Sequence, residues 1–149
     1  HYVRDKSAWT GSVPIEIKDF EQQIDKISKV YSIVSPEDYL KPSKKPKCVL
    51  TFDDATKDQY ENAFYVLNKK GIPAYFTVMS GPLTNGTIPV FHLVHTVLSH
   101  WKEKEIWSML TEEFNLSEKK VESHYYDYEQ NIYRRYIKYA LNYVLHENE

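Results

Sequence analysis

Two carboxylates stand side by side at Asp53 and Asp54, closing the apolar run Val49-Leu50-Thr51-Phe52. Adjacent acids of this kind can divide a hydrolytic task. One holds a hard or borderline divalent cation while the other takes a proton from water. Successive strand residues point to opposite faces, so the two need not share a role. The alternative is an acid pair that ends a strand and caps the helix after it. Strand-end acid pairs recur in unrelated α/β folds, and local pattern leaves both readings open.

The elements around the pair must form before it can act. Val49 to Phe52 reads as a buried strand, bounded upstream by the Lys/Pro/Ser linker of residues 41–47. Acids at its carboxyl end would lie where parallel α/β sheets and barrels collect ligands. Upstream, residues 1–4 look like the end of a strand. Ile17, Phe20, Ile24, Ile27 and Tyr31 predict one apolar stripe on a helix over 16–31. Ser35-Pro36-Glu37-Asp38 is a helix-start signal that ends near Leu40. Downstream, Tyr60, Ala63, Phe64 and Leu67 fall on one helical face. Lys69 and Lys70 suit its negative end, and Gly71 its stop. Ile72 to Met79 then reads as a second buried strand, broken by Gly81-Pro82. Strand, helix, strand is a right-handed βαβ unit, which makes the two strands parallel. Beyond residue 90 the pattern turns helical, over 91–101, 103–114 and 128–145, with a short helix at Ser117.

At 149 residues the chain is long enough for one domain with a real core. A net charge of −2 with dispersed Lys and Arg predicts no nucleic-acid or anionic-membrane partner. The single cysteine, Cys48, rules out an internal disulfide framework and reads as a small core residue. No apolar run reaches membrane-spanning length and no signal peptide opens the chain, which starts on His1 without Met as a trimmed chain would. Glycosylation triplets at Asn85 and Asn115 read as chance matches. The thirteen tyrosines concentrate in residues 125–143. That segment reads as an amphipathic helix using Tyr as core and rim, with a ligand-stacking platform as the alternative.

Thr51-Phe52-Asp53-Asp54, the helix Lys57-Asp58-x-Tyr60-x-x-Ala63-Phe64-x-Val66-Leu67 and Gly71-Ile72-Pro73-Ala74-Tyr75-Phe76 together carry a family resemblance. They are similar to the first motif region of the polysaccharide deacetylases, the NodB-homology enzymes of carbohydrate esterase family 4. His1-Tyr2-Val3 resembles the family's first strand. Phe20-x-x-Gln23-Ile24 and Ile33-Val34-Ser35-x-Glu37-Asp38 resemble the helix and turn before the Asp motif. The resemblance covers residues 1 to about 80. His92-Leu93-Val94-His95 and Leu141-Asn142-Tyr143-Val144-Leu145 also resemble the helical insertion of a bacterial surface-polysaccharide subgroup. The family's Gly after the Asp pair is Ala55 here, a departure tolerable where that residue has a negative φ.

This resemblance implies an α/β fold: the N-terminal portion of a distorted (β/α) barrel with parallel strands in residues 1–82, then a helical insertion over 90–149. It implies a metal-dependent hydrolase that removes N-acetyl (or O-acetyl) groups from a polysaccharide or its precursor. Asp53 would be the general base, Asp54 a ligand of a divalent metal, usually zinc, and a carbohydrate the substrate. The compartment, bacterial cytoplasm or cell envelope, is left open. The family's other ligands come from a His-(Ser/Thr)-x-x-His motif. His95 and His100 are one residue too far apart for it, and on a helix would diverge by roughly 140°. His92 and His95 share a face and remain candidate ligands, with the insertion helix as the alternative. The expectation is then that the true His motif lies beyond Glu149, that this chain alone is inactive, and that the unfinished barrel edge invites self-association. A second reading is a non-catalytic module that binds a partner or glycan and keeps a vestigial Asp pair. A third, a magnesium site of receiver or phosphatase type, needs acids or a lysine at later strand ends, where no strand is visible.

Overall fold

The computed structural model describes residues 2–6, 9–121 and 123–145; His1, and with it the first residue of the expected first strand, lies outside them. The chain divides into two compact units, one made of His1–Ala8 with Val13–Asn85, the other of Trp9–Ser12 with Gly86–Glu149.

In the first unit Val3 forms a single parallel bridge to Ile15. Helix α1 (Ile17–Val30) follows and turns Phe20 and Ile24 into the core. Only part of the expected stripe is covered, since Ile17 and Tyr31 at its two ends stay exposed. Strand β1 (Ser32–Ile33) pairs in parallel with β2 (Lys47–Cys48). Between them Pro36–Asp38 makes one 3₁₀ turn, and Ser35 contributes its carbonyl rather than a side-chain cap, accepting from the Asp38 amide at 3.1 Å. The Lys47 ammonium ties this loop down by donating to the carbonyls of Asp38 (2.6 Å), Tyr39 (3.2 Å) and Lys41. Cys48 is half-buried, and burial pushes its thiol pKa up.

Strand β3 (Thr51–Phe52) pairs in parallel with β4 (Tyr75–Phe76), with Thr51 opposite Tyr75 and Phe52 opposite Phe76. The parallel βαβ unit is therefore present, but its strands are far shorter than the apolar runs suggest. Pro73 has no amide to donate, so the ladder begins only at the Tyr75 amide, which reaches the Leu50 carbonyl at 2.8 Å. At the other end the backbone of Asp54 and Ala55 turns left-handed and ends pairing. The parallel strands expected of a barrel portion are thus present as short pairs. Among the described residues the strands form two separate two-stranded sheets, no closed barrel is present, and helix predominates. Pairing stops at Phe76, ahead of the Gly81-Pro82 dipeptide. It lies inside helix α3 (Ser80–Asn85), where a first-turn proline costs no hydrogen bond.

The connection from β3 to β4 winds first as a wide π segment, Gln59–Phe64, and then as helix α2 (Tyr65–Lys69). The wider turn rotates the apolar face. Ala63, Val66, Leu67 and the carboxamide of Gln59 point inward, while Tyr60 and Phe64, expected on the buried face, are exposed and stack at 5.6 Å. Gly71, at φ +64°, supplies the stop. The core of the unit gathers Val3, Phe20, Ile24, Phe52, Ala63, Val66 and Leu67. Phe52 stacks on Phe76 at 4.7 Å, so the strand pair is pinned by side chains as well as by its ladder.

The second unit is helical: α4 (Val90–His100), α5 (Glu103–Phe114) and α6 (Ile132–Tyr139), the last continuing as a wide turn over Ala140–Val144. Helix α6 begins later than residue 128 because Asn131 caps it, its Oδ1 accepting from the amides of Tyr133 (2.9 Å) and Arg134 (3.3 Å). The helix expected at Ser117 is one 3₁₀ turn, Glu118–Lys120. Val94, Leu98, Ile106, Trp107, Ile137 and Ala140 are central to the core. Gly11 packs so closely on α4 that a Cβ there would sit 2.0 Å from the His95 carbonyl oxygen. No helix among the described residues is long and apolar enough to cross a membrane.

Candidate functional site

Asp53 and Asp54 leave the carboxyl end of β3, with Thr77 one residue beyond β4 beside them. The Thr77 amide donates to the Phe52 carbonyl at 2.9 Å. Its hydroxyl lies 3.3 Å from Asp53 Oδ1 and 3.4 Å from the Phe52 carbonyl. From the helix side, Gln59 Nε2 donates to the Asp53 carbonyl at 2.7 Å. Gln59 is only 3% exposed, and its Oε1, like Thr56 Oγ1, is buried without a hydrogen-bond partner among the described residues. Such a group is costly to leave unmet, so the turn carries an energetic cost.

The backbone carries the same signature. Asp54 has φ +77° and Ala55 φ +49°, consecutive left-handed residues of which neither is glycine. A negative φ at Ala55 was the condition under which the missing glycine would be harmless, and it is not met. The strain is real and lies at the Asp pair. The turn also decides the capping question. The helix that follows is opened by the Thr56 carbonyl, which accepts from the amides of Gln59 (3.0 Å) and Tyr60 (3.3 Å). Neither Asp53 nor Asp54 spends its carboxylate on a helix amide. Asp53 is exposed and Asp54 half-buried.

Asp54 shares its surroundings with Tyr2, Arg4 and Asp58. Burial pushes the Tyr2 phenol up to about 12; Arg4 opposes this, while the charges of Asp58 and Asp54 add to it. The Arg4 guanidinium lies over the Tyr2 ring, 4.8 Å from its centroid. Asp58 Oδ2 accepts from the Val3 amide at 2.6 Å, and Asn62 Nδ2 donates to the Val3 carbonyl at 2.6 Å. The helix after the Asp pair thus grips the first segment through Asp58, which belongs to the quoted helix motif, and Asn62, which does not. Tyr2, Asp58, Gln59, Asn62 and Thr77 were all missed as site residues. Only the polar spacing of Asp58, Gln59 and Asn62 on one helix carried any signal.

His92 and His95 lie on α4, in the second unit, whereas Asp53 and Asp54 belong to the first. The His92 ring stacks on Trp9 at 6.5 Å and packs against Phe91 at 4.4 Å. His95 lines a groove with tyrosines of the C-terminal segment. His100 ends α4, edge-on to Trp101 at 5.8 Å. Among the described residues no three His, Cys, Asp or Glu side chains converge to hold a metal ion. Catalytic zinc takes three protein ligands and structural zinc four, so the described residues do not build a zinc centre.

No protein-family model matches the chain, and no curated protein matches it. A comparison with solved structures finds the structure of IcaB from Ammonifex degensii, 34% identical, with a TM-score of 0.43, covering 46% of this chain and 33% of that one. The match thus spans about a third of that chain's length. A likeness at this TM-score is no ground for assigning fold or activity.

Proposed function

We propose that this chain carries the aspartate half of a hydrolase of the polysaccharide-deacetylase type, which removes N-acetyl (or O-acetyl) groups from a polysaccharide or its precursor. What supports the reading is the Asp53-Asp54 pair itself. It follows β3 in a Thr-Phe-Asp-Asp context resembling that family, in a strained turn, with neither carboxylate used as a helix cap.

Amide hydrolysis joins a water oxygen to the acetyl carbon and breaks the C–N bond, giving acetate and a free amine. Water must lose a proton as it attacks, and the amine must gain one as it leaves. Asp53 is the proton acceptor in this proposal. It is exposed to solvent, and its carboxylate and backbone are held by Thr77 and Gln59. Asp54 is assigned to a divalent ion, zinc being the one the resemblance implies. The remaining ligands, and the acid that protonates the amine, are assigned outside the described residues, so the chain by itself is assigned no turnover. The protein purified from its source, supplied with zinc ion and N-acetylglucosamine oligomers, is expected to release acetate. Asp53→Asn should slow release by about 10²–10⁴-fold, the usual worth of a positioned base. Equal release by the variant, or none by the purified protein, overturns the reading.

A further inference from the structure

The second unit holds a groove of about 390 Å³ that the Asp site does not use. One wall is Phe91 and His95 of α4, and the other is Tyr126, Tyr128 and Tyr143. Lys138 and Asn142 also line it. Its size falls within the roughly 300–1,000 Å³ of small-ligand sites.

The chemistry of the lining is specific. Lys138 is 7% exposed and paired with the 5% exposed carboxylate of Glu129. Its ammonium also lies 5.8 Å and 5.5 Å from the ring centroids of Tyr126 and Tyr128. The one strong cation in the groove is therefore already neutralised, which removes the attraction an anionic ligand would need. Asn142 Nδ2 donates to the Tyr126 hydroxyl (3.1 Å) and to the Lys138 carbonyl (2.7 Å). The Asn142 Oδ1 is a further acceptor, on an exposed residue. Tyr128 is 70% exposed and Tyr143 55%, although Tyr143 also packs against Tyr125 at 4.8 Å and Tyr139 at 5.2 Å. Their ring faces are electron-rich, attract the partly positive C–H bonds of a saturated ring, and carry hydroxyls at their edges.

We propose that this groove binds an uncharged saccharide, one sugar face lying on Tyr128 or Tyr143 and its hydroxyls meeting Asn142 and the phenols. The choice of an N-acetylated sugar as probe rests on the deacetylase reading; the site itself does not. The test is isothermal titration of an N-acetylglucosamine tetramer into the chain carrying Asp53→Asn and Asp54→Asn, which removes the Asp pair as a competing site. Saturable binding is expected. Tyr128→Ala and Tyr143→Ala should each weaken it about tenfold, the scale of one lost stacking face, and Tyr128→Phe, which keeps the face and loses one hydroxyl, should weaken it less. Both alanine variants replace exposed side chains, and circular dichroism is the check that they fold. Absence of saturable binding overturns the proposal, as does parent-like affinity in both alanine variants or tighter binding of a polyanionic oligosaccharide of equal length. So does a change in the sedimentation of the chain on Tyr143→Ala without any sugar binding, which would make the groove a protein interface. The two readings fail separately. Sugar binding without acetate release from the purified protein sinks the deacetylase alone, and acetate release without Tyr-dependent binding sinks the groove alone.

Discussion

Replacing Ala55 by glycine should stabilise the first unit, although glycine substitutions usually do the opposite. Ala55 sits at φ +49° and is exposed, so the change removes a left-handed strain and leaves no cavity. For an L-residue that conformation costs about 1–2 kcal/mol, which glycine recovers. Against this, glycine adds freedom to the unfolded chain worth about 0.4–1 kcal/mol. The net is a gain of about 0.5–1 kcal/mol. With a urea slope of about 1–3 kcal/mol per molar, the midpoint should rise by about 0.2–1 M. Urea unfolding followed by far-UV circular dichroism measures it. Exchange of the Tyr75 and Thr77 amides, bonded to Leu50 and Phe52 across the strand pair, localises the gain to this unit. Ala63→Gly is the companion. Ala63 is fully buried in the helical segment, so that change should cost about 1 kcal/mol or more. A loss of stability in Ala55→Gly of the size seen for Ala63→Gly would refute the left-handed turn, and with it the strained geometry assigned to the Asp pair.

Lys138→Ala strands the buried Glu129 carboxylate and should cost about 3–5 kcal/mol in denaturant unfolding, whereas Glu129→Leu with Lys138→Met should recover most of it. Gln59→Leu removes the hydrogen bond to the Asp53 carbonyl together with a buried unpaired oxygen. It should change stability by less than about 1.5 kcal/mol while speeding exchange of amides around residues 53–55; unchanged exchange would deny Gln59 a role in the turn. Glu103 is pulled up by burial but held below the ordinary glutamate value by its own amide and Arg134. A depressed carboxyl lends stability that is complete above its unfolded value, about 4.3, and is lost as pH falls through the lower folded value. Trp107 fluorescence should therefore show acid unfolding beginning below about pH 4.3, with a shallower pH dependence in Arg134→Gln.

What the sequence disclosed was set by local signals. The apolar runs around Leu50 and Tyr75, with a helix between them, were enough to imply a parallel pair, because handedness leaves few alternatives. Gly71 as a helix stop followed from the conformational preference of one residue. Strand length was not legible, because it depends on Pro73 and on the turn at Asp54-Ala55, which act through hydrogen bonds the sequence does not show. Nor was the face of the helix after the pair, since a π segment rotates it and leaves Tyr60 and Phe64 outside. At the site, type and order exposed Asp53 and Asp54, while the groups that hold them did not stand out. Thr77 arrives through strand pairing across the βαβ connection, and Gln59 through the π turn. The tyrosines of residues 125–143 read as helix core and rim; Asn131 instead starts α6 late and leaves Tyr126 and Tyr128 on the approach to it, lining a groove.

The most direct test of the Asp pair as a hydrolytic half-site is a zinc titration of the chain followed by backbone amide shifts, in the parent and in Asp54→Asn. Asparagine accepts φ +77° as readily as aspartate, so the variant keeps the turn. The account predicts weak binding whose shifts centre on residues 53–55 and Thr77 and vanish in Asp54→Asn. Shifts centred on His92 and His95, or identical in the variant, would contradict it.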